Sequence, residues 1–163
     1  MEPSKILLKP IGVIHTSFTN YGDAPFQGTY YPKSQGTAEI FKEYKAGLKD
    51  LDNYSNAIFI YLFNRSKDWK PMVIPHFDNK LRGLFSTRAP HRPNPLGMTV
   101  VKLLSIDKNI ITFSYADMLD GTPLLDIKPF IPKIDCPKVG KLGWIEKYMD
   151  TEHNHKADKN KNR

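Results

Sequence analysis

Residues 99–115 read Thr-Val-Val-Lys-Leu-Leu-Ser-Ile-Asp-Lys-Asn-Ile-Ile-Thr-Phe-Ser-Tyr. Two strand-like apolar runs, 99–106 and 110–115, flank Asp107-Lys108-Asn109. Asp and Asn tolerate the backbone of a tight turn, so the stretch predicts a β-hairpin. Upstream, residues 57–63 (Ala-Ile-Phe-Ile-Tyr-Leu-Phe) are a continuous apolar run between polar neighbours. That pattern predicts a strand buried on both faces. Residues 6–17 alternate around Ile11, Val13 and His15-Thr16, and residues 36–41 set Thr37 and Glu39 against Ala38 and Ile40. Downstream, residues 124–131 are apolar and punctuated by Pro123, Pro129 and Pro132. Only residues 44–51 read as a short helix. Thirteen scattered prolines and ten glycines leave little room for longer ones. Six or seven short strands separated by turn signals predict an all-β barrel or sandwich. A doubly wound sheet would need helical crossovers of a dozen residues or more, and none is visible.

A chain of 163 residues is expected to form one principal domain with a real core. No apolar run reaches the ~18 residues of a membrane helix, so no membrane partner is expected. The start, Met1-Glu2-Pro3-Ser4-Lys5 before Ile6-Leu7-Leu8, does not read as a secretory signal. The single cysteine, Cys136, excludes an internal disulfide, a zinc finger and an iron–sulfur site. Together these features predict a cytoplasmic protein. Lys and Arg number 24 against 17 Asp and Glu, a net charge of +7 and a pI near 9.4. Such a surface attracts anions, nucleic acid first and nucleotides or acidic small molecules next, although it also serves plain solubility.

Residues 143–149 (Gly-Trp-Ile-Glu-Lys-Tyr-Met) suit one or two helical turns, and residues 150–163 read as a solvated basic tail. His153 and His155 are two metal ligands without a third. The Gly-rich phosphate cradles and the nucleophile elbow are absent, and Cys136 has no evident partner base.

Chemistry concentrates in three places. Residues 85–98 read Phe-Ser-Thr-Arg-Ala-Pro-His-Arg-Pro-Asn-Pro-Leu-Gly-Met. Pro90, Pro93 and Pro95 stiffen a loop that presents Arg88, His91, Arg92 and Asn94. Read alone, it is either a connector with solvated cations or a preorganised anion site. Residues 117–129 carry Asp117, Asp120 and Asp126 around an Asp120-Gly121-Thr122-Pro123 turn, either as capping aspartates of a strand–turn–strand or with Asp120 or Asp126 paired to Arg88 or Arg92. Residues 21–31 (Tyr-Gly-Asp-Ala-Pro-Phe-Gln-Gly-Thr-Tyr-Tyr) form a long aromatic loop suited to binding or to packing at a barrel mouth. The run 57–63 ends in Asn64-Arg65, where polar groups leave a buried strand.

FSTRAPHRPNPLGMTVVKL (85–103) followed by DMLDGTPLLDIKPFIP (117–132) resembles the paired signature of the TsaA-like (TrmO-type) family. IGVIHTSF, the strand at 36–41 and LDNYSNAIFIYLFNRS stand where that family has its other blocks, so the resemblance covers about residues 6–137. It implies a small closed or partly open β-barrel of six to seven strands with short peripheral helices. The barrel domain would span residues 1–137, with a short C-terminal helix and basic tail over 138–163. It also implies S-adenosylmethionine as cofactor, a homodimer, and methylation of the N6 nitrogen of N6-threonylcarbamoyladenosine beside the tRNA anticodon. Carried over by motif, the cofactor-binding residues are Pro25, Phe26, Gln27, Asn64, Arg65, Arg88, Met98, Asp120, Gly121, Thr122 and Pro123. For the chemistry, Asp120 is the candidate base and Asp126 the second choice. Arg92 would hold the threonyl carboxylate or a tRNA phosphate. The sequence departs from the family pattern at Phe26 (usually Arg), Asn56 (usually His) and Asn64 (usually His). Two other readings stay open: a methyltransferase with a different acceptor, and a basic β-barrel that binds RNA without chemistry, stacking bases on Tyr21, Phe26, Tyr30 or Tyr31.

Overall fold

The computed structural model describes residues 6–76, 78–138 and 140–149. The expected basic tail at 150–163, with His153 and His155, lies outside the described residues. Among the described residues there are eight strands: β1 Gly12–Thr16, β2 Gln35–Ile40, β3 Asn56–Leu62, β4 Met72–Val73, β5 Arg82–Gly83, β6 Leu96–Asp107, β7 Ile110–Ser114 and β8 Thr122–Pro129. Six of them close an antiparallel barrel in the order β1-β2-β7-β6-β3-β8, and β4 and β5 form a separate two-stranded ladder.

The hairpin at 99–115 is the longest part of this barrel. Ile106 pairs with Ile111 and Asp107 with Ile110, which leaves Lys108-Asn109 as the turn. Lys108, rather than Asp or Asn, takes the left-handed backbone conformation (φ 55). Asn109 instead donates its side-chain amide to the Ile40 carbonyl at 2.9 Å, tying the turn to β2. β3 alternates rather than being buried on both faces: Ala57, Phe59 and Tyr61 are buried, and their neighbours keep some surface. A barrel wall has one inner face, so the period of two wins over the apolar appearance of the run. Strand β1 is shorter than expected, because residues 6–10 are exposed and carry no strand. The predicted helix at 44–51 is instead two 3₁₀ segments, Lys42–Leu48 and Leu51–Asn53, broken where Asp50 turns left-handed (φ 65).

Ile14, Ala38, Ile40, Ala57, Phe59, Val101, Ile111, Phe113 and Leu124 fill the barrel at 1% exposure or less. Phe59 and Phe113 meet edge-on across it, with ring centroids 5.0 Å apart. Each of the larger side chains in this set contributes about 1.5–3 kcal/mol by leaving water, so the set is the main source of stability.

Up-down alternation around the barrel sorts the connections. The links 17–34, 63–95 and 115–121 all emerge at one end, here the mouth. The links 41–55 and 108–109 close the other end, the floor. Leu48 and Leu51 plug that floor as members of the core.

Candidate functional site

The three mouth connections are stitched together by side chains. Arg65 follows β3 at the point where the strand leaves the wall. It donates to the Thr19 carbonyl at 2.6 Å and to the Asp120 carbonyl at 2.9 Å, so one guanidinium spans all three links. Arg88 donates to Gln27 Oε1 at 2.6 Å, joining the proline loop to the early loop. Gly28 follows, and its amide donates to Asp117 Oδ2 at 2.9 Å. Only glycine fits there, because a Cβ would overlap the Tyr115 carbonyl.

Asp117 is the least solvated carboxylate of this group. Its Oδ1 accepts the Thr99 hydroxyl at 2.8 Å, and Thr99 Oγ1 lies 3.1 Å from the Tyr61 hydroxyl. Since the carboxylate only accepts, the chain runs Tyr61 to Thr99 to Asp117. Burial pushes the Asp117 carboxyl up to about 6, while the Gly28 and Thr99 hydrogen bonds and the Arg88 charge pull the other way. Burial and the neighbouring Asp117 charge also raise the Tyr61 hydroxyl above its usual range, so it remains a neutral donor. Tyr61 lies over Gly97, where any Cβ would meet its ring.

The Asp120-Gly121-Thr122-Pro123 turn sits at the start of β8. Its backbone is held by Asp120 N–H to the Phe18 carbonyl and Gly121 N–H to the Ile14 carbonyl. Gly121 is left-handed (φ 77), as a tight turn into a strand requires. The Asp120 carboxylate accepts the Thr16 amide at 3.2 Å and stands 3.3 Å from His15 Nδ1, whose other nitrogen is 3.9 Å from Glu39.

Gln27, Arg65, Arg88 and the Asp120–Pro123 turn are therefore brought together at the mouth, with Pro25 buried beneath the early loop. Phe26 stacks on His76 (centroids 5.3 Å, 20° between planes), so this departure from the usual arginine places a ring pair beside Gln27. Asn64 is exposed just beyond β3. Met98 projects outward from β6, half exposed, opposite Ile60. Asp126 is not part of the mouth cluster. It pairs with Ile60 beside a bulge in the β3–β8 ladder, and its carboxylate holds Lys128 at 2.8 Å. Arg92 is held within its own loop, donating to the Thr87 carbonyl at 3.1 Å with its guanidinium over the exposed Phe85 ring. His91 donates from Nδ1 to the Lys67 carbonyl at 2.8 Å, which pins the loop to the exit of β3.

The 3₁₀ segment Gly143–Tyr148 packs beneath the proline loop. Trp144 donates to the Ser86 carbonyl at 2.7 Å and lies under the Arg82 guanidinium. Arg82 in turn donates twice to Asp78, and its hydrogen bonds hold that carboxyl down at about 2.

Sequence reasoning missed Tyr61, Thr99 and Asp117 as a unit. Asp117 was visible as one of three clustered carboxylates, but Tyr61 and Thr99 look like ordinary strand residues. Their shared inward face at the mouth is a property of register. Among the described residues no group of three His, Cys, Asp or Glu side chains is arranged to hold a metal, and no helix is long and apolar enough to cross a membrane.

A convergence of cations, amides, carbonyls and a tight turn at a barrel mouth suits a small zwitterionic ligand. Comparison with known proteins points the same way. Residues 13–136 match the family described as the tRNA-methyltransferase O N-terminal domain. The chain is 42% identical over 157 residues to a probable S-adenosyl-L-methionine-binding protein of Pyrococcus abyssi, covering 96% of this chain and 83% of that one. It is 32% identical to the mouse tRNA (adenine(37)-N6)-methyltransferase over 85% of this chain, but spans only 34% of that protein. The crystal structure of TrmO from Pseudomonas aeruginosa superposes with a TM-score of 0.73 at 31% identity, over 86% of this chain and 63% of that one.

Proposed function

The chain belongs to the tRNA-methyltransferase O family, and on that premise we propose that it is an S-adenosylmethionine-dependent methyltransferase acting on N6 of the adenosine beside the tRNA anticodon. The single observation that carries the reading is the Arg65–Arg88–Gln27–Asp120 stitching of the three mouth connections. The finer substrate we propose is N6-threonylcarbamoyladenosine, whose carboxylate would find a cation in Arg92.

The residues present fit the cofactor. Arg88 and Arg65 offer cations for its carboxylate, Gln27 and the loop backbone offer partners for its adenine, and the Phe26–His76 pair offers a flat apolar face. Pro25, Asn64, Met98 and the Gly121-Thr122-Pro123 turn complete the proposed contact set. The cofactor supplies an already activated methyl group, so the protein's work is positioning. Asp120 is the proposed acceptor of the N6 proton. Its carboxylate is half exposed and held in place by the Thr16 amide and His15. Asp126, paired with Lys128, is the weaker candidate for that role.

We further propose a cytoplasmic homodimer, with residues 1–137 as the barrel domain and 138–163 as an appended strap and basic tail. Unpaired anticodon-loop bases can be splayed out for such a site.

Thermal denaturation with S-adenosylmethionine, S-adenosylhomocysteine, ATP and NAD tests the cofactor. A one-site ligand at about 100 times its Kd adds about 2.7 kcal/mol, or roughly 5–11 °C for a chain of this size. A shift with the first two alone is expected. No shift with any, in folded ligand-free protein, would contradict the proposal in favour of RNA binding without chemistry.

A further inference from the structure

The Tyr61–Thr99–Asp117 chain takes no part in the reaction as proposed above, yet it holds a partly buried carboxylate against protein hydrogen-bond donors. A carboxylate that loses part of its water costs free energy unless its hydrogen bonds compensate. Here its two oxygens are committed to two different elements, the Gly28 amide of the early loop and the Thr99 hydroxyl of β6. Gly28 is seated so closely on Tyr115 that a Cβ there would overlap the Tyr115 carbonyl. The next residue back, Gln27, is the one that receives Arg88. The carboxylate thus lies at the root of the contact that joins the early loop to the proline loop.

We propose that Asp117 is a positioning residue for this site: its ionised carboxylate ties the Gly28 amide to Thr99 and so holds the early loop where Gln27 and Arg88 meet the cofactor. The proposal rests on the cofactor reading above. It predicts a pH dependence, since a protonated carboxyl makes weaker hydrogen bonds than a carboxylate. The charged or titratable groups that face Asp117 are Arg88 from the proline loop and Tyr61 from β3. His76, stacked on Phe26, contacts the same loop and ordinarily titrates in the same range, so it is the group to control for.

The test follows the Gly28 backbone amide by NMR in the free protein from pH 5 to 8, alongside titrations of S-adenosylmethionine at each pH. In the natural protein, protection of Gly28 and affinity for S-adenosylmethionine are expected to fall together as pH drops through about 6. Asp117→Asn keeps the shape and removes the charge. It is expected to lose the pH dependence and to bind about tenfold more weakly at pH 7.5, the loss of one charge-assisted hydrogen bond. Thr99→Val removes a bond that favours the carboxylate and moves the midpoint up, Thr99→Ser restores it, and His76→Asn leaves it in place.

A Gly28 amide indifferent to Asp117→Asn overturns the clamp whether or not the cofactor binds. A midpoint that disappears in His76→Asn overturns it too. A Gly28 amide that responds while Asp117→Asn binds S-adenosylmethionine as the natural protein does overturns the positioning role. Natural protein that binds no S-adenosylmethionine at any pH, with Gly28 still responding, overturns the cofactor reading and leaves the clamp supported.

Discussion

The mouth and the floor close the same six strands with opposite chemistry. At the floor, a two-residue turn and a pair of 3₁₀ segments cover the barrel with Leu48 and Leu51, and the polar contacts are mostly backbone. At the mouth, three longer connections are held by Arg65, Arg88, Gln27, Asp117 and Asp120. Polar side chains hold loops less cheaply than leucines do, because each must lose water and side-chain freedom. A fold that needed only closure would have two floors. The difference marks the mouth as the end where ligand recognition has been built at some cost in stability.

The largest expected effect breaks the floor. Leu51→Ala should lower stability by about 2–5 kcal/mol through lost burial and a cavity, measured by urea denaturation. Its affinity for S-adenosylmethionine should stay within twofold. A matching loss of affinity would mean that the two ends are not separable.

Next comes the reverse experiment at the mouth. Asp117 has its carboxyl raised in the folded state to about 6 against an ordinary value of 3.8. For a raised carboxyl, the unfolded chain releases its proton first, so its contribution to stability declines as pH rises from about 4 to about 6. Asp117→Asn should therefore be more stable than the natural protein at pH 7.5, by up to about 3 kcal/mol, with the gap closing below pH 4. Denaturation curves at pH 4 and 7.5 decide it. A variant destabilised at pH 7.5 would make Asp117 structural.

Arg88→Ala should weaken S-adenosylmethionine binding by about 10–100-fold while leaving the melting temperature nearly unchanged, since the removed group is exposed and makes one charge-assisted bond. Arg92→Ala should spare that affinity and reduce methyl transfer to tRNA. Calorimetry and a radiolabel assay separate the two arginines. The smallest effect returns to the floor. Asn109→Ala, which loses the bond to Ile40, should cost about 1 kcal/mol and leave cofactor binding unchanged.

The barrel was readable because its signal is local. The turn signal within 99–115, the alternation at 36–41 and the apolar run at 57–63 are each read from a few adjacent residues, and the structure places strands at all three. The short β4–β5 ladder was not readable, since two-residue strands carry no period. The 3₁₀ segments replaced the expected helix because Asp50 interrupts the run before Leu51. The proline loop and the DGTP turn were legible as motifs, and Arg88 does meet Gln27 across 61 residues of sequence. The Tyr61–Thr99–Asp117 chain was not legible, because the β3–β6 register and the course of the connection after β7 must be known before those residues become neighbours. Asp126 shows the converse. It stands six residues from Asp120, yet its carboxylate is bound to Lys128 rather than to a mouth residue.

The most direct measurement is backbone hydrogen exchange of the full chain with and without S-adenosylmethionine, read peptide by peptide. Slower exchange in residues 17–34, 63–95 and 115–121, with 41–55 and 107–110 unchanged, is the predicted result. Protection at the floor, or binding that leaves the three mouth connections unchanged, would contradict the assignment of function to that end of the barrel.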